Sequence, residues 1–394
     1  MRFVRGFVWV IVWAIAGCGA GSHRDRPSDG DADSDTDADT DADSDSDTES
    51  DDLPCTVLDA DTWRTETVDA EGETGRYPSI AFSGGVPFIG YHSSDDAGGG
   101  DARIATDLGD GWELSDVDVE GDGGRYSMQV RVEQDATVVH VLYSDSSDDD
   151  LRYARGLPGA WEIETIAVWP VGGGSSLDLD SNDAAHVLYS QSVARELRYM
   201  TNASGAWVEE VVETGCSWAP NASVEVGTGD DVHVVFGCDD VQYGVRPDGA
   251  EGWTFQTVDP TLYTRVTPSL ALDANGAAHV AYTLAISADA TPELRYATNV
   301  SGVWTTETPK FIAGEWASLA LDGAATPHVA YYDSDTGDLG YLRRVGPAWI
   351  VQQIDSEGDT GLYPSIAIAG RAVHVAYHDA TAGDLRYATA SCSE

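Results

Sequence analysis

The sequence predicts an all-β fold made of seven repeats closed into a ring, and three observations predict it. Tryptophan opens a short strand-like run at Trp63, Trp112, Trp161, Trp207, Trp253, Trp304 and Trp349, at spacings of 49, 49, 46, 46, 51 and 45 residues. Each interval holds four runs rich in aromatic and β-branched residues, separated by Gly, Asp, Asn and Ser turns. Alternation of that kind makes half-buried strands rather than helices. Finally, the first Trp run, Trp63–Val68, precedes any complete repeat, while the last repeat stops at its third strand. A period in the forties with four strands per unit is that of a β-propeller. Pairing Trp63–Val68 beside Leu385–Ala388 supplies the missing strand. The result is seven four-stranded blades with no open edge between the chain ends.

The four runs follow one order. The first is Ser-aliphatic-x-aliphatic, as in Ser79-Ile80-Ala81-Phe82, Ser176-Leu177-Asp178-Leu179, Ser223-Val224-Glu225-Val226, Ser269-Leu270-Ala271-Leu272, Ser318-Leu319-Ala320-Leu321 and Ser365-Ile366-Ala367-Ile368. Blade two is irregular, and Ser127-Met128-Gln129-Val130 is aligned with the motif there. The second run is His-Val-x-Tyr, the third Leu-Arg-Tyr-Ala, and the fourth Trp-x4-Val or Ile. Six histidines share one repeat position: His140, His186, His233, His279, His328 and His374, with Phe88 in blade one. A ring of histidines invites a metal. Yet each comes from a different blade, and zinc needs its ligands within about 2 Å. A residue that every repeat demands satisfies a hydrogen bond in every repeat. These histidines, the repeated tryptophans and Arg152, Arg198, Arg295 and Arg386 are read as scaffold.

Residues 1–17 have the layout of an export signal: Arg2 and Arg5, then the short apolar run Phe7–Ala16. The run ends Ile15-Ala16-Gly17-Cys18, which resembles the bacterial lipoprotein signal. That resemblance implies a lipid on Cys18 as the first mature residue and, with Gly19 following it, an outer-membrane address. The alternative is an ordinary signal peptide with a chance cysteine. Residues 18–54 contain the tract DGDADSDTDADTDADSDSDTESDD. With almost nothing apolar to bury, such a segment is expected to stay disordered, a stalk reaching at most roughly 120 Å. Residues 55–394 are left for the propeller.

The net charge is −47 at pH 7. It argues against nucleic acid or anionic lipid as partners, both of which need a basic surface. Membrane contact is expected through the lipid anchor only, and the protein is expected to be a monomer. Cys55 lies just before the first Trp strand and Cys392 just after the last Leu-Arg-Tyr strand, ends that meet in antiparallel neighbours. A Cys55–Cys392 disulfide is therefore expected, permitted by export. Cys216 and Cys238 also share a face and form the second expected pair. The alternative for them is two free thiols or a metal pair.

The pattern Gly-x-Tyr-Pro-Ser-Ile-Ala, His-Val-Ala-Tyr, Asp-Leu-Arg-Tyr-Ala, Trp-x4-Val resembles the repeat of bacterial and archaeal surface-protein β-propellers. The resemblance runs from Trp63 to Thr389. With the lipoprotein-like signal and the acidic stalk, it implies a bacterial surface lipoprotein facing outward or into the periplasm, and it carries little function with it. The chain is also distantly similar to sialidase-type propellers, although their Asp-box survives only as the fragment Ser334-Asp335-Thr336-Gly337-Asp338.

Function is expected where the repeats differ, on the loops of one face. The loops leading into the inner strands carry Arg76-Tyr77, Arg125-Tyr126, Trp218, Tyr263, Trp316 and Tyr363. Four of these, Trp316, Tyr363, Tyr77 and Tyr126, belong to consecutive blades and are expected to form an arc around the central opening. The neighbouring loops are acidic. Aromatic faces beside carboxylates suit sugars or a cationic peptide. The alternative is that the rings pack blade seams and the acids are solvated turn residues. Asp333, Asp335 and Asp338, around Gly337, alternate oxygen ligands as a calcium loop does, without the full twelve-residue pattern; no other cofactor is expected. Three functions follow: a non-catalytic binding module for glycan or protein, a sialidase-like glycosidase or lyase, or a structural surface protein. For the enzyme, Arg76, Arg125 and Tyr77 form part of a cluster, and no further arginine or acid stands outside the repeat pattern.

Overall fold

The computed structural model describes residues 62–94, 99–133, 138–168, 174–217, 220–261, 265–285, 291–309 and 314–392. Cys18, Cys55, Trp218 and Tyr263, with the signal and the acidic tract, lie outside them. The described residues form seven antiparallel sheets of four strands, each a blade, with its first strand innermost. No described helix is long and apolar enough to cross a membrane.

The ring closes as the repeat count requires. Arg64–Asp69 is the outermost strand of blade seven, antiparallel to Asp384–Ser391, with Arg64 opposite Thr389 and Glu66 opposite Tyr387. Cys216 and Cys238 are joined, tying the loop before blade four to the end of its second strand. Cys392 is disulfide-bonded; its expected partner, Cys55, lies outside the described residues.

Each inner strand pairs on one side only, which leaves backbone N–H groups along its free edge. The Ser of the first motif satisfies one of them across the blade boundary. Ser79 Oγ accepts the Val130 N–H at 3.0 Å, Ser176 that of Val224 at 3.0 Å and Ser223 that of Leu270 at 3.3 Å. Ser269 accepts Leu319 at 3.0 Å, Ser318 accepts Ile366 at 3.1 Å, and Ser365 accepts Ile80 at 3.1 Å, returning to blade one. Blade two corrects the sequence alignment. Gln129 pairs with Leu142 as Ser79 pairs with Gly90, so Gln129 and not Ser127 holds the motif position. One extra residue separates Tyr126 from this position, and an alignment on Ser127 falls two residues short of it. Ser127 still makes the link, accepting the Ser175 N–H of blade three at 3.2 Å.

The outer seams repeat as regularly. Trp112 packs edge-on against Tyr387 of the preceding blade and Trp207 against Tyr153, with ring centres 5.1 Å apart in both pairs. Their indole N–H groups donate to Glu66 at 2.8 Å and Glu164 at 2.7 Å in the preceding outer strands. The hydroxyl of each such Tyr is bonded to the repeat histidine, at 2.5–2.6 Å in all six blades that carry one. Arg152, Arg295 and Arg386 of the Leu-Arg-Tyr strands work in a second seam contact, whereas Arg198 pairs with Glu196 and Glu209 of its own blade. Asp118, the last residue of an outer strand, accepts Tyr143 and Arg152 of the next blade, both at 2.7 Å. Asp69, Asp259 and Asp355 do the same for Tyr91–Arg103, Tyr282–Arg295 and Tyr377–Arg386. These residues are scaffold.

Burial pushes down the pKa of eight of the nine histidines, that of His374 to about 4 against an ordinary 6.5. A depressed histidine binds fewer protons folded than unfolded, so its stabilising contribution is present above the unfolded pKa and is lost as pH falls. The carboxyls of Glu225, Asp150 and Asp384 are raised and act in the opposite direction. The thermal midpoint is expected to fall steadily between pH 6.5 and 4, and calorimetry across that window checks it.

Candidate functional site

The seven inner strands surround a central channel with a cavity of about 450 Å³, within the range of small-ligand pockets. Its mouth is built by one local device. In blade one, Arg76 pairs with His92 and Ser79 with Gly90, so Tyr77-Pro78 together oppose Tyr91. Trp316-Ala317 and Tyr363-Pro364 are doubled in the same way. Such bulges bend the strand and re-aim a side chain. Gly75 and Gly361 permit the approach. Both have positive φ, and a Cβ would fall 2.4 Å from Leu385 Cα at the first and 2.6 Å from Leu339 Cα at the second.

The re-aimed residues are the predicted aromatics, and all four have left-handed backbones: Tyr77 (φ 54°), Tyr126 (73°), Trp316 (50°) and Tyr363 (53°). Bulky residues seldom adopt this region, which costs about 1–3 kcal/mol each. The rings meet in sequence around the mouth. Trp316 lies 4.5 Å from Tyr363, Tyr363 4.3 Å from Tyr77, and Tyr77 6.0 Å from Tyr126, between ring centres. Tyr332 extends the arc, 5.6 Å from Trp316. Burial, with a hydrogen bond to Tyr363, pushes the Tyr77 phenol up, so it stays protonated. All four predicted rings line the cavity.

The two predicted arginines stand outside it. Arg125 stacks over Tyr126 at 5.1 Å and pairs with Asp122 at 3.0 Å. Arg76 pairs with Glu73 at 3.1 Å, half exposed. Asp333, Asp335 and Asp338 shape the hairpin of blade six: Asp333 Oδ1 accepts the Asp335 N–H at 3.1 Å, and Asp338 accepts from Gln353. No three His, Cys, Asp or Glu side chains among the described residues converge as metal ligands.

The channel holds a charged cluster that the sequence reading passed over. Arg131, Asp178 and Glu225 stand two residues beyond the serine position in blades two, three and four, each opposite a repeat histidine. Arg131 Nε donates to Asp178 Oδ1 at 3.0 Å, and the Val226 N–H donates to Asp178 Oδ2 at 2.7 Å. The side chains of Arg131 and Asp178 remain 26% and 15% accessible, wetted by the channel. Burial pushes the Glu225 carboxyl well up, Asp178 adds to this by charge and hydrogen bonding, and Arg131 opposes it. The Glu225 carboxyl therefore holds its proton more tightly than an ordinary carboxyl. The signal was present: this position is Ala81, Ala271, Ala320 and Ala367 in the other four blades. Reading blade two two residues out of register hid Arg131.

No protein-family model matches the chain, and no curated protein is similar to it in sequence. Solved structures are similar in fold. The polysaccharide lyase Uly1 matches with a TM-score of 0.54 at 10% identity, over 83% of this chain and 91% of its own. AofleA from Arthrobotrys oligospora matches with 0.51 at 14% identity, over 74% and 89%. At these identities the likeness shows the propeller fold alone.

The left-handed backbone gives a direct check. Glycine adopts φ near +50° freely, so Tyr363→Gly is expected to be more stable than Tyr363→Ala by about 1 kcal/mol. Denaturant unfolding of the two variants measures the difference, and the reverse order would remove the strain.

Proposed function

We propose that the protein is a non-catalytic binding module that holds a glycan against the aromatic arc at its channel mouth. One observation carries the reading: four aromatic residues in left-handed conformation line one mouth across consecutive blades. Backbone strain at a cluster of partly exposed rings is maintained against folding stability, and such strain gathers at ligand sites. Flat rings beside polar groups match the apolar face and hydroxyl edge of a sugar.

A glycan array probed with and without calcium tests the reading. Binding to a defined set of sugars is expected, and it is expected to be lost in Trp316→Gly/Tyr363→Gly. Loss on chelation would assign calcium to the acidic loops around Asp333. Silence in both arms would reject the glycan and leave a protein partner or a structural role.

The same proposal places the module at the outer membrane, on a stalk anchored by lipid at Cys18. The lipoprotein-like sequence Ile15-Ala16-Gly17-Cys18 supports this. Replacing Cys18→Ser is expected to move the protein from the membrane to the soluble fraction, and unchanged membrane fractionation would reject the anchor.

A further inference from the structure

The charged cluster below the mouth adds to this reading of the site. Four blades carry alanine at its position, so the ring closes without a charge there. Arg131, Asp178 and Glu225 thus bring desolvation that the neighbouring blades avoid. They occupy three adjacent blades, two to four. The aromatic arc runs over blades six, seven, one and two. One cavity is therefore apolar on one side of its mouth and polar on the opposite side lower down, with Arg131 and Glu225 both in its lining.

The hydrogen bonds assign roles within the cluster. Asp178 is engaged on both oxygens inside the wall, by Arg131 and by the Val226 N–H, so it is a positioning residue. Arg131 gives one more hydrogen to the Val130 carbonyl at 3.0 Å, leaving the rest of its guanidinium for the channel. The Arg131–Asp178 pair cancels in charge, and Glu225 stands beside it in the cavity lining. An anion meets an arginine already paired. A donor fork beside a carboxyl fits adjacent hydroxyls of a neutral polyol.

Depth decides how such a ligand sits. The rings lie above the serine belt and the cluster about 7 Å below it along the strands. A chain lying flat over the face touches rings alone; one that touches both enters end-on. We infer that the channel takes the terminal sugar of a neutral glycan chain, with Arg131 and Glu225 hydrogen-bonding its hydroxyls and the aromatic arc holding the sugar behind it. The inference rests on the glycan reading of the mouth.

The test is an array of neutral hexose and deoxyhexose oligosaccharides, each presented both open and with its terminal-sugar hydroxyls methylated. The open forms are expected to bind the parent protein and the methylated forms not to. Arg131→Ala and Glu225→Ala place the residue of the other blades at each position, so folding is expected to survive, as the thermal midpoint shows. Each is expected to weaken open-form binding about tenfold or more. Glu225→Gln keeps the size of the side chain and both a donor and an acceptor for a hydroxyl, and is expected to bind as the parent does. Two results would overturn the end-on channel site while leaving the mouth intact. One is equal binding of open and methylated forms, and the other is parent-like binding by both alanine variants. Binding of neither form would reject the glycan reading itself.

Discussion

A strand that pairs on one side only leaves a row of backbone donors, and a ring of seven inner strands concentrates seven such rows around one channel. The rest of the structure depends on how those donors are met. Sending one serine hydroxyl across each boundary fixes the spacing between blades from inside. Once that spacing is set, the Trp–Tyr–His contacts and the Asp–Tyr–Arg contacts outside it have only to repeat. A hydroxyl is also the smallest side chain that can reach the neighbouring backbone, which keeps the lumen open instead of filling it.

Architecture was legible in the sequence because each of these contacts demands a residue type once per repeat. Tryptophan supplied the period, and the incomplete first and last repeats supplied the closing strand. Cys216 and Cys238 were legible because propeller geometry puts their two loops on one face. The site was legible in part. Tyr77, Tyr126, Trp316 and Tyr363 follow from blade order, but their left-handed backbones come from bulges, which no periodicity announces. Arg76 and Arg125 satisfied neighbouring acids in place of facing the channel. Arg131, Asp178 and Glu225 were readable as departures from alanine, provided blade two was aligned two residues later. An inserted residue conceals a site most effectively where the repeat is otherwise regular.

Scaffold and site draw on the same strands in different ways. Along an inner strand, the serine serves the ring, the bulge above it presents a ring-bearing side chain, and the position below it is left to vary. Repetition makes the first uniform and the last individual. The channel can therefore acquire charge on one side, as in blades two to four, without loosening any seam.

Pairing Arg64–Asp69 with Asp384–Ser391 also orders events in time. The strand synthesised first completes its sheet only with the strand synthesised last, so no partial chain contains a closed ring. Local hairpins can form as the chain emerges, but the long-range pairing waits for the final residues, and contacts so distant in sequence form slowly. The nascent chain therefore stays an open string of hairpins until its last blade has appeared, and only then can the circle shut.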